Sequence, residues 1–249
     1  MRHLILLATL LLGLYPASAA AQTEGDYLYN VRMVRAASGE WLELMDLLEA
    51  AEALHIEAGD VAPFWMRHSQ GDQWDFMLIH PMDDHPTFHA PERVARRAGV
   101  WESARGRDLA GRIEAATAYT EEWFARSVPL EVMRARFDGM GFFHIEMFAG
   151  LPGRRDALLD QRRMENQFYE ALGRQLNLLF VRDSGPNWDA MTIGFYESLQ
   201  AYANAGAGKT EAAQDAAARG AGFDGVGGIS PLLRSLLSYH HDTLAVRVR

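Results

Sequence analysis

Arg67-x-Ser69 followed by Trp74-Asp75-x-Met77-x-Ile79 returns about 114 residues later as Arg182-x-Ser184 followed by Trp188-Asp189-x-Met191-x-Ile193. Upstream, Met33, Gly39, Leu44, Asp46 and Gly59 recur as Met147, Gly153, Leu158, Asp160 and Gly173. A period this long, with strand-like and helix-like parts matched, means two copies of one supersecondary unit rather than a solenoid of short repeats. Duplication also supplies an internal control. What both copies keep points to architecture, and what one copy carries alone is where function is sought.

The first copy reads strand, helix, hairpin. Tyr29, Val31 and Met33 alternate with Asn30, Arg32 and Val34, Ser38-Gly39 breaks the strand, and Trp41, Leu44, Met45, Leu48, Ala51 and Leu54 follow helical spacing over residues 40–58. Residues 64–69 and 74–80 are then two strands joined across Gly71-Asp72. The second copy repeats this over 142–148, 154–176, 178–184 and 188–194, with Gly185-Pro186-Asn187 as the turn. Residues 243–249 alternate as a closing strand, so the unit is β-α-β-β-α-β, the ferredoxin-like topology. The matching end of the first copy falls between Tyr119 and Phe137. Such a sheet has helices on one face and needs cover on the other. The expected fold is α+β: two tandem ferredoxin-like repeats, over 22–137 and 138–249, with their sheets packed face to face as an intrachain α+β barrel.

Residues 1–21 read as a signal peptide: Arg2, the apolar run Leu4 to Leu14, and small residues from Ala17 to Ala21. Export to the periplasm or the extracellular space follows as an expectation. Losing Arg2 would move the formal charge from −9 to −10, and an acidic chain is a poor partner for nucleic acid or an anionic membrane. There is no cysteine, so stability must come from core burial. No later apolar stretch reaches the ~20 residues of a membrane span.

Tyr29-Asn-Val-Arg-Met, the Ser38-Gly39 entry into a Trp/Leu/Met helix and the two Trp-Asp hairpins resemble the dimeric α+β barrel superfamily, in its NIPSNAP-like and antibiotic-biosynthesis-monooxygenase-like forms, fused in tandem. The resemblance covers about residues 27–90 and 142–204. It implies the barrel, and a range of activities that includes cofactor-free oxygenases, haem-dependent enzymes and proteins without known reaction. Fold analogy supplies no residue roles. In haem-binding relatives an axial histidine comes from the second copy, but its surrounding motif is not matched here, and the expectation is no cofactor, with haem as the alternative.

Strand parity sorts candidate site residues. With Tyr29, Val31 and Met33 assigned under the helices, Arg32, His144 and Glu146 would face the barrel interior, together with Trp74, His80 and Trp188. An apolar chamber with a few convergent polar groups is what a small-molecule site looks like. His144 and Glu146 are the candidate acid–base pair, and Trp74, Trp188, Arg32 and His80 the candidate ligand contacts. His144-x-Glu146 also has same-face metal spacing, but a third ligand is needed and only His80 offers itself, so no metal is expected. His80, His85 and His89, interrupted by Pro81 and Pro86, read as a loop. Gly206-Ala-Gly-Lys-Thr lacks the first glycine of a phosphate loop. The Trp-Asp pairs, present twice, are expected to be structural, with Arg67 and Arg182 pairing to Asp75 and Asp189 across each hairpin. The expected function is small-molecule binding, with oxygenase-like activity on an aromatic substrate. The alternatives are a non-catalytic structural or partner-binding barrel and a haem-binding or haem-processing protein. Oligomeric state is left open.

Overall fold

The computed structural model describes residues 23–248, residue 186 excepted. The leader assigned to 1–21 and the Pro186 of the second turn lie outside the described residues. The first half contains β1 (Tyr27–Ala36), α1 (Trp41–Glu57), β2 (Phe64–Gln70), β3 (Phe76–Asp83), α2 (His85–Phe88), α3 (Pro91–Trp101), α4 (Ala104–Ala116) and β4 (Thr117–Ser127). A connector helix, α5 (Leu130–Phe137), leads into β5 (Phe142–Gly150), α6 (Arg155–Ala171), β6 (Leu178–Ser184), β7 (Ala190–Tyr196), α7 (Leu199–Ala203), α8 (Glu211–Gly220), α9 (Ile229–Leu236) and β8 (Leu237–Arg247). The blurred end of the first copy is thus the long strand β4, and the closing strand β8 starts six residues earlier than its alternation suggests.

All eight strands pair antiparallel into one closed sheet, in the order β1-β3-β2-β8-β5-β7-β6-β4. The halves keep the same internal order, and two seams, β2 with β8 and β4 with β6, join them. Each seam forces a glycine. Gly71 has φ +106° and a Cβ there would lie 2.5 Å from the Asp242 carbonyl oxygen, on β8; Gly185 has φ +114° and a Cβ there would lie 2.8 Å from Trp123 Cβ, on β4. Both the left-handed backbone and the close approach exclude a larger residue.

The Trp-Asp motif is structural. Asp75 Oδ2 accepts from Ala36 N at 2.8 Å and Asp189 Oδ2 from Gly150 N at 2.9 Å, tying each hairpin to the end of the first strand of its half. Arg182 pairs with Asp189 at 2.6 Å as expected. Arg67 is not its counterpart: His68 N bonds Asp75 O as Arg182 N bonds Asp189 O. The hairpin registers agree, with Arg67 opposite Phe76 where Val181 is opposite Ala190, so the first-copy arginine stands one position earlier on its strand and on the other face.

The facing of the strands is the reverse of the sequence expectation. Tyr29, Val31, Met33, Met77 and Ile79 pack inside the barrel with Phe143, Ile145, Met147, Met191 and Ile193, all essentially fully buried. Phe137 of α5 covers one end of this core, against Phe143 and Phe195, and Trp74 and Trp188 lie towards the other. The outer face carries Val34, Phe76 and Leu78 beneath α1 and α4 in the first half, and Phe148 and Ala190 beneath α6 and α9 in the second. The barrel interior takes the more uniformly apolar face, because a polar group buried in that packed core would need a partner there. The mixed face can lie under helices, whose long side chains reach its polar groups.

Candidate functional site

Under the helices of the first half is a cavity of about 520 Å³. Leu48, Ala51, Glu52 and His55 come from α1, Arg32, Leu78 and His80 from the sheet, and Trp101 and Ile113 from α3 and α4. A second space of about 250 Å³ shares Arg32, His55 and His80 and continues towards Arg97 and Phe88. The three shared residues are the polar centre of the site. Arg32 Nε lies 3.1 Å from Glu122 Oε1. The His55 and His80 rings are 4.9 Å apart, with Trp101 edge-on to His55 at 5.3 Å. Among the described residues neither ring has a hydrogen-bond partner. Burial pushes His80 down to about 3, assisted by His55 and Arg32; burial also lowers His55, with Asp60 opposing. Both imidazoles are therefore neutral near pH 7, each with one donor and one acceptor to offer.

The corresponding place in the second half is filled. At the positions of Leu48, Ala51, Glu52 and His55 stand Arg162, Glu165, Asn166 and Tyr169. The Arg162 guanidinium, 2% exposed, bonds Glu165 and lies 3.5 Å from Glu146 Oε2, and it sits over the Phe148 ring at 4.6 Å. Asn166 bonds both backbone groups of Asn177 at 2.9 Å. Thr192 adds a 3.2 Å bond to Glu146 Oε2. His144 Nε2 lies 2.6 Å from Asp242 Oδ1. Burial pulls this imidazole down, but the Asp242 bond and the neighbouring carboxylates outweigh it and hold its pKa above the ordinary value. Burial raises Glu146, against the pull of Arg162.

The sequence candidates therefore divide three ways. Arg32 and His80 meet in the first-half cavity, on the helix side of the sheet rather than inside the barrel. His144 and Glu146 share a face, also on the helix side, in the filled layer of the other half, and neither lines the first-half cavity. Trp74 and Trp188 are barrel-core residues: Trp74 is fully buried with its indole N–H on Asp72 at 2.8 Å, and Trp188 bonds Glu121 at 2.5 Å. Neither presents a face to Arg32 or His80. His85 pairs on the surface with Asp183 at 2.8 Å, but the stretch read as a loop is not one: His80 lies in β3 and His85 opens the short helix α2, which Asp84 caps by accepting from Thr87 N. Two residues escaped the sequence reading. His55 continues the Leu44, Leu48, Ala51 stripe by one turn, a legible signal. Asp242 reaches His144 from 98 residues away, across the β5–β8 pairing.

An axial histidine for haem would have to give up a contact in the second half: His144 Nε2 is held by Asp242, and Phe148 packs against the Arg162 guanidinium and the stacked His240 ring.

No family model matches the chain, and no curated protein matches it. Among solved structures it is similar to an anthrone oxidase-like protein, with a TM-score of 0.55 and 11% identity over 92% of this chain and 94% of the other. It is also similar to a candidate monooxygenase of Fusobacterium nucleatum subsp. nucleatum, with a TM-score of 0.50 and 8% identity over 90% and 94%. At these identities the likeness establishes the shared α+β fold.

Proposed function

We propose that this chain is a small-molecule-binding α+β barrel protein whose ligand occupies the first-half cavity. In this reading it is a tandem of two ferredoxin-like units of the NIPSNAP-like and antibiotic-biosynthesis-monooxygenase-like kind, with its first 21 residues serving export. The observation that carries the proposal is the asymmetry between copies: one sheet–helix layer is hollow and lined by Arg32, His55 and His80, the other is packed with paired side chains. Random loss of packing would not also leave two imidazoles unpaired and facing the void.

The lining suits a hydroxylated aromatic. Leu48, Leu78, Ile113 and Trp101 supply apolar walls, and a neutral imidazole can donate to or accept from a hydroxyl group. In an oxygenase-like reading the substrate hydroxyl donates a hydrogen bond to the neutral His55 or His80. Arg32 supplies positive charge beside that hydroxyl and favours its ionised form. Names borne by the similar structures agree with that chemistry and lend it no more than consistency.

The test is a panel of phenols and naphthols titrated against the full chain by tryptophan fluorescence and thermal shift, with an oxygen electrode for turnover. Ala51→Phe, which fills the cavity from α1, should abolish binding. Arg32→Met should weaken anionic members of the panel more than neutral ones. Binding unchanged in Ala51→Phe, or no binding by any panel member, would refute the site.

A further inference from the structure

The second-half layer contains an arrangement that its own duplicate shows to be unnecessary for the fold. Opposite Arg32 on the neighbouring strand stands Glu122, and the two form an ion pair. Opposite Glu146, at the same place in the second copy, stands Asp242. Like charges directly across a strand pair are destabilising, and here one of them, Glu146, is largely buried with a side chain 12% exposed. The third position completes the contrast: Asn30 in the first copy is His144 in the second. One nitrogen and two carboxylate oxygens, on His144, Glu146 and Asp242, all lie within 4.8 Å of one another.

We propose that His144, Glu146 and Asp242 bind a divalent first-row transition-metal ion. The set is one imidazole and two carboxylates, ligands that suit zinc or manganese and not the softer ions that call for thiolates. The atoms are available. Arg162 and Thr192 both engage Glu146 through Oε2, and among the described residues Oε1 has no hydrogen-bond partner. Asp242 uses Oδ1 towards His144, and Oδ2 likewise has none. A cation placed between them replaces the His144–Asp242 hydrogen bond and relieves the cross-strand repulsion. Arg162 remains on the far oxygen of Glu146 and orients it, as groups behind metal ligands commonly do.

This site is separate from the first-half cavity, and the two proposals fail independently. Full-length protein stripped with EDTA and exchanged into metal-free buffer is titrated calorimetrically with ZnCl₂ and with MnCl₂. One ion per chain is expected for at least one of them. Asp242, 55% exposed at its side chain, carries the decisive variant, because Asp242→Asn removes a ligand with little loss of packing. It should weaken binding about 100-fold or more, at or above the effect of losing a group behind a ligand, and Glu146→Gln should do the same. Asp183→Asn, which disrupts the surface His85 pair, should leave affinity unchanged. Cobalt(II) loading provides a second readout, a visible d–d spectrum that His144→Gln alters. The proposal is overturned if neither ion binds, or if Asp242→Asn, shown folded by circular dichroism, binds as tightly as the parent.

Discussion

Between pH 6 and pH 4, His80 alone should cost the folded protein about 3 kcal/mol. An unfolded histidine takes a proton below about 6.5, but the folded state keeps His80 neutral down to about 3. In that window the unfolded chain binds the extra proton, so stability falls as pH falls, at about 1.4 kcal/mol per pH unit. Two units give the stated figure, and water reaching the ring from the cavity makes it an upper bound. For a chain of this size it corresponds to about 6–12 °C in Tm. The carboxylates titrate over the same range, so the measurement is a difference: urea unfolding at half-unit steps from pH 4 to 7 for the parent and for His80→Gln, which keeps a hydrogen-bonding side chain but cannot take up a proton. The difference in unfolding free energy should decline steadily below pH 6.5 as the parent loses its relative advantage. A flat difference would mean that His80 is charged in the folded protein or exposed to bulk solvent. The description of the cavity centre as two neutral imidazoles would then be wrong.

Met33→Ala and Met147→Ala should each destabilise by about 2–5 kcal/mol, measured by urea unfolding, since both are 1% exposed in the shared barrel core. Equal losses are expected, because each methionine faces another methionine on the neighbouring strand of its half, Met77 and Met191. Gly185→Ala should cost more than about 1–3 kcal/mol, since it combines the strain of a left-handed backbone with a clash against Trp123. A thermal shift of less than a few degrees would show that the β4–β6 seam yields easily.

The likeness between the two halves was legible because its markers are tied to backbone geometry. Gly71 and Gly185 close seams, and Asp75 and Asp189 hold strand ends, so neither pair could drift without loss of the fold. The direction in which the strands face was not legible. Tyr29, Val31 and Met33 are buried, but so are Leu28 and Val34, and a strand covered on both sides gives no contrast from which to choose a face. The polar set was read as the lining of a chamber, whereas the chamber is the more uniformly apolar side. That one inversion placed Arg32 and His80 on the wrong side of the sheet while still grouping them correctly. It also hid Asp242, whose partnership with His144 depends on the pairing of β5 with β8.

Both seams lie within a single polypeptide, and this changes what mutation can do. In a barrel assembled from two identical subunits every substitution appears twice, so an arginine that plugs one layer plugs both, and a hollow opened for a ligand weakens both. Here Arg162 fills one side while Leu48 leaves its counterpart open. Closure is also unimolecular and does not weaken on dilution, because each half meets the other at the high effective concentration set by their connection. Losses of packing in the half that holds a ligand can therefore be offset by stability retained in the half that does not, without a trade-off imposed by symmetry.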